Sequence, residues 1–125
     1  MVQRFSLALL CAIGLASATA STSHAGGSDV IDVKVTAQGG DRWRFDVTVS
    51  HADTGWDHYA NRWEVVGEDG AVLGTRVLAH PHVEEQPFTR SGTYEIPAGV
   101  DEVVIRSNDS VHGLGGREMV VKIPR

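Results

Sequence analysis

The chain has 125 residues and little of what most reactive folds depend on. It carries one cysteine, Cys11, inside an apolar N-terminal stretch. Beyond residue 25 it can form no disulfide, hold no thiolate-bound metal and offer no thiol nucleophile. Charged residues make up 22%, with 11 basic against 16 acidic and a net charge of −5. No basic stripe exists to neutralise phosphates, which argues against a nucleic-acid partner. There is no Gly-x-Ser-x-Gly elbow for a serine hydrolase. Gly113-Leu114-Gly115-Gly116 neither follows the Gly-x-Gly-x-x-Gly pattern nor opens a helix, so it is no nucleotide loop. The adjacent Glu84 and Glu85 point apart on extended chain and do not suit a paired-carboxylate glycosidase. No window supports a helix longer than a turn or two.

Met1 to Ala25 reads as a secretory signal peptide. Arg4 is its positive region, Phe5 to Leu15 its apolar stretch, and small residues follow. Cleavage is expected after Ala20 or after Ala25, both of which satisfy the small-x-small rule. Its apolar run is too short to span a bilayer, so no membrane association is expected after cleavage. Lipidation at Cys11 is not expected, because Leu10 is too bulky before it. These features predict a secreted or periplasmic protein with one domain over residues 26–125. Loss of Arg4 leaves 10 basic against 16 acidic residues.

From there the pattern has period two. Ile31, Val33 and Val35 alternate with Asp32 and Lys34, and Trp43, Phe45, Val47 and Val49 alternate with Arg44, Asp46 and Thr48. Strands are predicted at 30–37, 42–51, 60–66, 71–79, 88–96, 101–107 and 117–123, with Trp43 and Trp63 in the core. About seven short strands in a small domain predict an all-β, antiparallel, immunoglobulin-like β-sandwich, with a small closed barrel as the alternative. Alternating connections then put 38–41, 67–70 and 97–100 at one end, and 52–59, 80–87 and 108–116 at the other.

The second end gathers His51, His58, His80, His82 and His112, together with Asp53, Trp56, Asp57, Tyr59, Glu84, Glu85 and Asp109. Neutral imidazoles with carboxylates suit a transition metal, here copper or zinc. His80-Pro81-His82 aims two rings the same way on extended chain, and Pro81 holds His80 extended. The predicted ligands are therefore His80, His82 and His112, with His58 or His51 and Asp57 or Glu84 completing the shell. His51 shares the parity of Trp43 to Val49, which points it inward at the rim. Two other readings stay open. One is a hydrogen-bonded polar network of His, Asp, Arg62 and Arg90 that needs no ion. The other is a metal-free interaction module that docks a protein or ligand through Trp56, Tyr59, Phe88 and Arg90. Nothing in the chain demands a catalytic role.

The run Trp56-Asp57-His58-Tyr59-Ala60, the run His80-Pro81-His82-Val83-Glu84-Glu85-Gln86-Pro87-Phe88-Thr89-Arg90 and Ser110-Val111-His112-Gly113 resemble a family of small exported bacterial proteins without an assigned role. The resemblance covers most of residues 26–125. It implies export and a β-sandwich, and transfers no catalytic residue. A second likeness is to periplasmic copper carriers of sandwich type that bind through an N-terminal histidine. Cleavage after Ser23 would expose His24 in that role, although the chain lacks a methionine-rich copper(I) motif.

Overall fold

The computed structural model describes residues 26–125; the expected signal peptide, with Cys11, His24 and both expected cleavage sites, lies outside the described residues. Eight strands run in chain order: β1 Asp29–Ala37, β2 Arg42–Ser50, β3 Ala60–Val66, β4 Val72–Val77, β5 Phe88–Glu95, β6 Glu102–Asp109, β7 Gly113–Leu114 and β8 Met119–Lys122. They form two antiparallel sheets, one ordered β1-β2-β5 and one ordered β4-β3-β6-β7, with β8 also paired to β6. The all-β sandwich expected from the period-two pattern is the fold.

The inner faces follow the alternation. Trp43, Phe45, Val47 and Val49 of β2 meet Trp63 and Val65 of β3 and Val103 and Ile105 of β6, all buried. Each such side chain taken from water contributes about 1.5–3 kcal/mol, which is what holds the sheets face to face. Tyr94 of β5 closes one side. Its ring lies over Gly74 of β4 and Gly92 of its own strand, where an added Cβ would collide with the Tyr94 side chain. It stands edge-on to Trp63, with centroids 6.1 Å apart.

Three details depart from the expectation. A register shift between Val30 and Asp32 in β1 buries Val30 and turns Ile31 outward, so Ile31 does not share the inner face with Val33 and Val35. One extra residue in a strand reverses the parity on either side of it. An eighth strand arises where Gly113–Leu114 pairs with Asn108 and Asp109 inside the expected loop. Finally, β6 continues to Asp109, so the inward series Val103, Ile105, Ser107, Asp109 places a carboxylate at the end of the core.

Turns 38–41, 67–71 and 97–101 share one end, where Ile96 N–H donates to Asp41 O and Arg125 donates to Pro97 O and Val100 O. The longer connections share the other end.

Candidate metal centre

His51 follows the last residue of β2 and keeps the inward parity of that strand, with only 4% of its surface exposed. The chain then reverses tightly, with Asp53 N–H donating to His51 O at 2.9 Å. This turn brings the Asp53 carboxylate under the His51 ring, where Oδ1 accepts from His51 Nδ1. Oδ1 of Asp53 also accepts from Ala60 N–H at 3.0 Å, and Oδ2 accepts from His82 N–H at 2.7 Å. One buried carboxylate thus ties the imidazole to two other backbone segments.

Asp109 does the same from β6. Its Oδ1 accepts from the N–H groups of Val111 (2.7 Å) and His112 (3.0 Å), the side-chain-to-backbone turn that aspartate favours. Its Oδ2 accepts from His51 Nε2 at 2.5 Å and from His58 Nε2 at 2.8 Å. His51 Nε2 also lies 2.9 Å from the carbonyl oxygen of Gly26. The rings of His51 and His58 meet edge to face at 4.9 Å, and those of His58 and His112 at 5.1 Å.

Burial opposes charge on His51, but its hydrogen bonds to Asp53, Asp109 and the Gly26 carbonyl outweigh it and raise its pKa above 6.5. For Asp109 burial likewise opposes ionisation. The N–H groups of His112 and Val111, with His58 and His51, more than offset it and hold the carboxyl at about 2. Both ring nitrogens of His51 face carboxylates, which favours the protonated, doubly donating form of the ring.

One ligand atom each from His51, His58 and Asp109 lies within 4.8 Å of the others, and this is the set among the described residues that could hold a metal ion. Ligands of one tetrahedral ion sit roughly 3.3 Å apart, given metal–nitrogen bonds of about 2.0–2.1 Å. The 2.5 and 2.8 Å separations around Asp109 Oδ2 are hydrogen-bond lengths, so an ion would lengthen them by about 0.5–0.8 Å. The donors fit: two borderline imidazole nitrogens and one carboxylate oxygen. Asp53 on Nδ1 fixes the His51 tautomer with Nε2 free to ligate, the usual support of a metal-bound imidazole.

His112 lies beside this group, with its ring on His58 and its Nε2 against Gly26. His80 and His82 do not belong to that set, although the backbone of His82 shares the Asp53 carboxylate with His51. Their rings are 4.5 Å from each other, and His80 Nδ1 meets the Pro81 carbonyl. His82 stacks on Phe88 at 3.9 Å, and its Nε2 accepts from Arg90 Nη2 at 2.9 Å. Burial and then the Arg90 charge lower the pKa of His82 below 6.5. Its buried Nδ1 has no hydrogen-bond partner among the described residues. Asp57 and Glu84 are exposed.

Trp56 is 67% exposed, with Tyr59 edge-on at 5.6 Å. Phe88 was expected on this surface but is 2% exposed, because the His82 ring and the Arg90 guanidinium cover it. Arg90 also pairs with Glu85 at 2.9 Å. Sequence reading placed Asp53 and Asp109 at this end without naming either as a site residue. The inward parity of Val103, Ile105 and Ser107 was the signal for Asp109.

No family model matches the chain. It is 46% identical over 94 residues to a protein of Halomicrobium mukohataei named "Putative lipoprotein". That match takes in 75% of this chain, which spans 46% of the relative's length. Two solved structures are similar in outline. A superoxide reductase (neelaredoxin) from Archaeoglobus fulgidus, a single-residue variant in the reduced form, matches with TM-score 0.47 and 16% identity over 75% of this chain and 88% of its own. A superoxide reductase (1Fe-SOR) from Giardia intestinalis matches with TM-score 0.44 and 13% identity over 76% of this chain and 99% of its own.

Proposed function

We propose that this is an exported protein that binds a divalent transition metal, copper(II) or zinc, through His51, His58 and Asp109. The observation that carries the reading is the approach of three ligand atoms to within 4.8 Å of one another, with His51 held from behind by a buried carboxylate. A proton now occupies the position on His51 Nε2 that an ion would take, so binding is an exchange of protons for metal. Three protein ligands leave room for a further group on the ion. Export is supported by the leader-like first 25 residues and by the lipoprotein name of the relative.

The test is calorimetric titration of the metal-free protein with copper(II) and with zinc, on the parent and two variants. His58→Ala is expected to weaken binding at least tenfold. The His80→Ala/His82→Ala double variant is expected to keep it. Loss in the double variant with retention in His58→Ala would move the centre to the His80–His82 pair, whose unpartnered buried Nδ1 is the observation in its favour.

A second reading rests on Trp56, which is 67% exposed at the same end and packs on Tyr59. In it these rings dock a protein or small ligand. Binding by that surface would survive removal of metal with a chelator, which separates the two readings.

A further inference from the structure

We propose that removal of residues 1–25 completes the metal centre by making Gly26 the mature N-terminus, so that its α-amino group and its carbonyl oxygen chelate the ion on His51. The inference rests on the metal-binding reading above. Two sets of contacts and one chemical argument carry it.

The first is the position of Gly26. Its carbonyl oxygen is 2.9 Å from His51 Nε2, beside Asp109 Oδ2, and so belongs to the group of acceptors around the proton that an ion would replace. On the other side of the centre, His112 Nε2 is 2.9 Å from where a Cβ on Gly26 would stand. This close approach suits a residue without a side chain, at the first position after the expected cleavage point.

The second is how firmly the segment is seated. Ser28 is fully buried, and its hydroxyl shares a 2.6 Å hydrogen bond with that of Ser107. Arg117 N–H donates to Asp29 Oδ1 at 2.7 Å, and Val30 N–H donates to Arg117 O at 2.8 Å. Gly116 lies so close on Ser28 that an added Cβ would collide with the Ser28 carbonyl group. Backbone held on both sides delivers Gly26 to the centre without an ordering cost at the moment of binding.

The third is chemical. In an intact chain the nitrogen of Gly26 is an amide and a poor ligand. Hydrolysis of the Ala25–Gly26 bond turns it into an amine with a pKa near 8, which loses its proton to a bound cation. Amine and carbonyl of one residue then close a small chelate ring on an ion already held by His51 and His58. Of the two cleavage points that satisfy the small-x-small rule, only the one after Ala25 produces this amine. Cleavage after Ala20 leaves a five-residue extension, Ser21 to Ala25, in its place.

The full chain is expressed with export, and the mature protein is read by intact mass. The expected mass is that of a chain beginning at Gly26. A chain beginning at Ser21, or one acylated at Cys11, overturns the proposal. Two forms, beginning at Gly26 and at Ser21, are then titrated with copper(II) and examined by electron paramagnetic resonance. Affinity at least tenfold higher for the Gly26 form, with one more coordinated nitrogen, is the expected result; α-acetylation of Gly26 should abolish the difference. Equal affinities, both lost in His58→Ala, would overturn the role of the amine and leave the metal centre standing. Binding by neither form would remove both.

Discussion

The two ends of this sandwich are built by different means. At one, turns 38–41, 67–71 and 97–101 close largely through backbone hydrogen bonds, such as Gly67 N–H to Ala71 O at 2.8 Å and Val100 N–H to Pro97 O at 2.9 Å. At the other, two buried carboxylates collect donors from several segments: Ala60, His82 and His51 on Asp53, and Val111, His112, His51 and His58 on Asp109. Short turns satisfy their own polar groups locally. Long connections that cross between sheets cannot do so, and they need side chains to hold them. The side chains that organise the longer end are also the ones able to hold an ion, so structure and candidate function there rest on the same atoms.

The comparison can be broken most severely with one methyl group. Gly116→Ala forces the Ser28 backbone away and is expected to cost about 3 kcal/mol or more, or to prevent folding. Gly99 at the turn end has no atom within 4 Å of its missing Cβ, so Gly99→Ala is expected to stay within about 0.5 kcal/mol. Thermal or urea unfolding of the two variants measures the contrast. Similar losses in both would mean that the two ends are equally constrained.

Asp109→Asn is the next largest. It removes the charge that compensates the His51 imidazolium and replaces an acceptor by a donor facing two other donors. We expect a loss of about 2–4 kcal/mol in the metal-free protein. Unchanged stability would show that His51 is neutral in the folded state.

The smallest effect contrasts two histidines of the same end. In the metal-free protein His51 is expected to titrate above 6.5 and His82 below it, followed ring by ring in NMR. The signs for stability are opposite. The His51 contribution is fully present below pH 6.5 and is lost as pH rises through its folded value. His82 favours the neutral form when folded, so its contribution is present above pH 6.5 and is lost as pH falls toward its lowered value. Asp109, held at about 2, contributes fully above about pH 4, and that contribution disappears as pH falls toward 2. Titration of His51 below 6.5 would contradict its pairing with both carboxylates.

Much of the architecture was legible in the chain. Alternation in β2, β3 and β6 set the core, because a strand with one buried face must repeat its apolar residues every second position. Parity also pointed His51 inward. The bulge in β1 was not legible, since Ile31 and Val30 are equally apolar and only pairing with β2 decides which is buried. The His80-Pro81-His82 spacing stood out most in the sequence, yet the structure gives His82 to Phe88 and Arg90.

The sequence alone determined an all-β sandwich with its histidines gathered at one end, because local periodicity and turn chemistry need no knowledge of distant partners. Only the tertiary structure decided which of those histidines meet. His51 and His58 lie in the one connection between β2 and β3 and Asp109 ends β6, and residues separated by 51 and 58 positions become neighbours only when the sheets pack and the carboxylates find their donors.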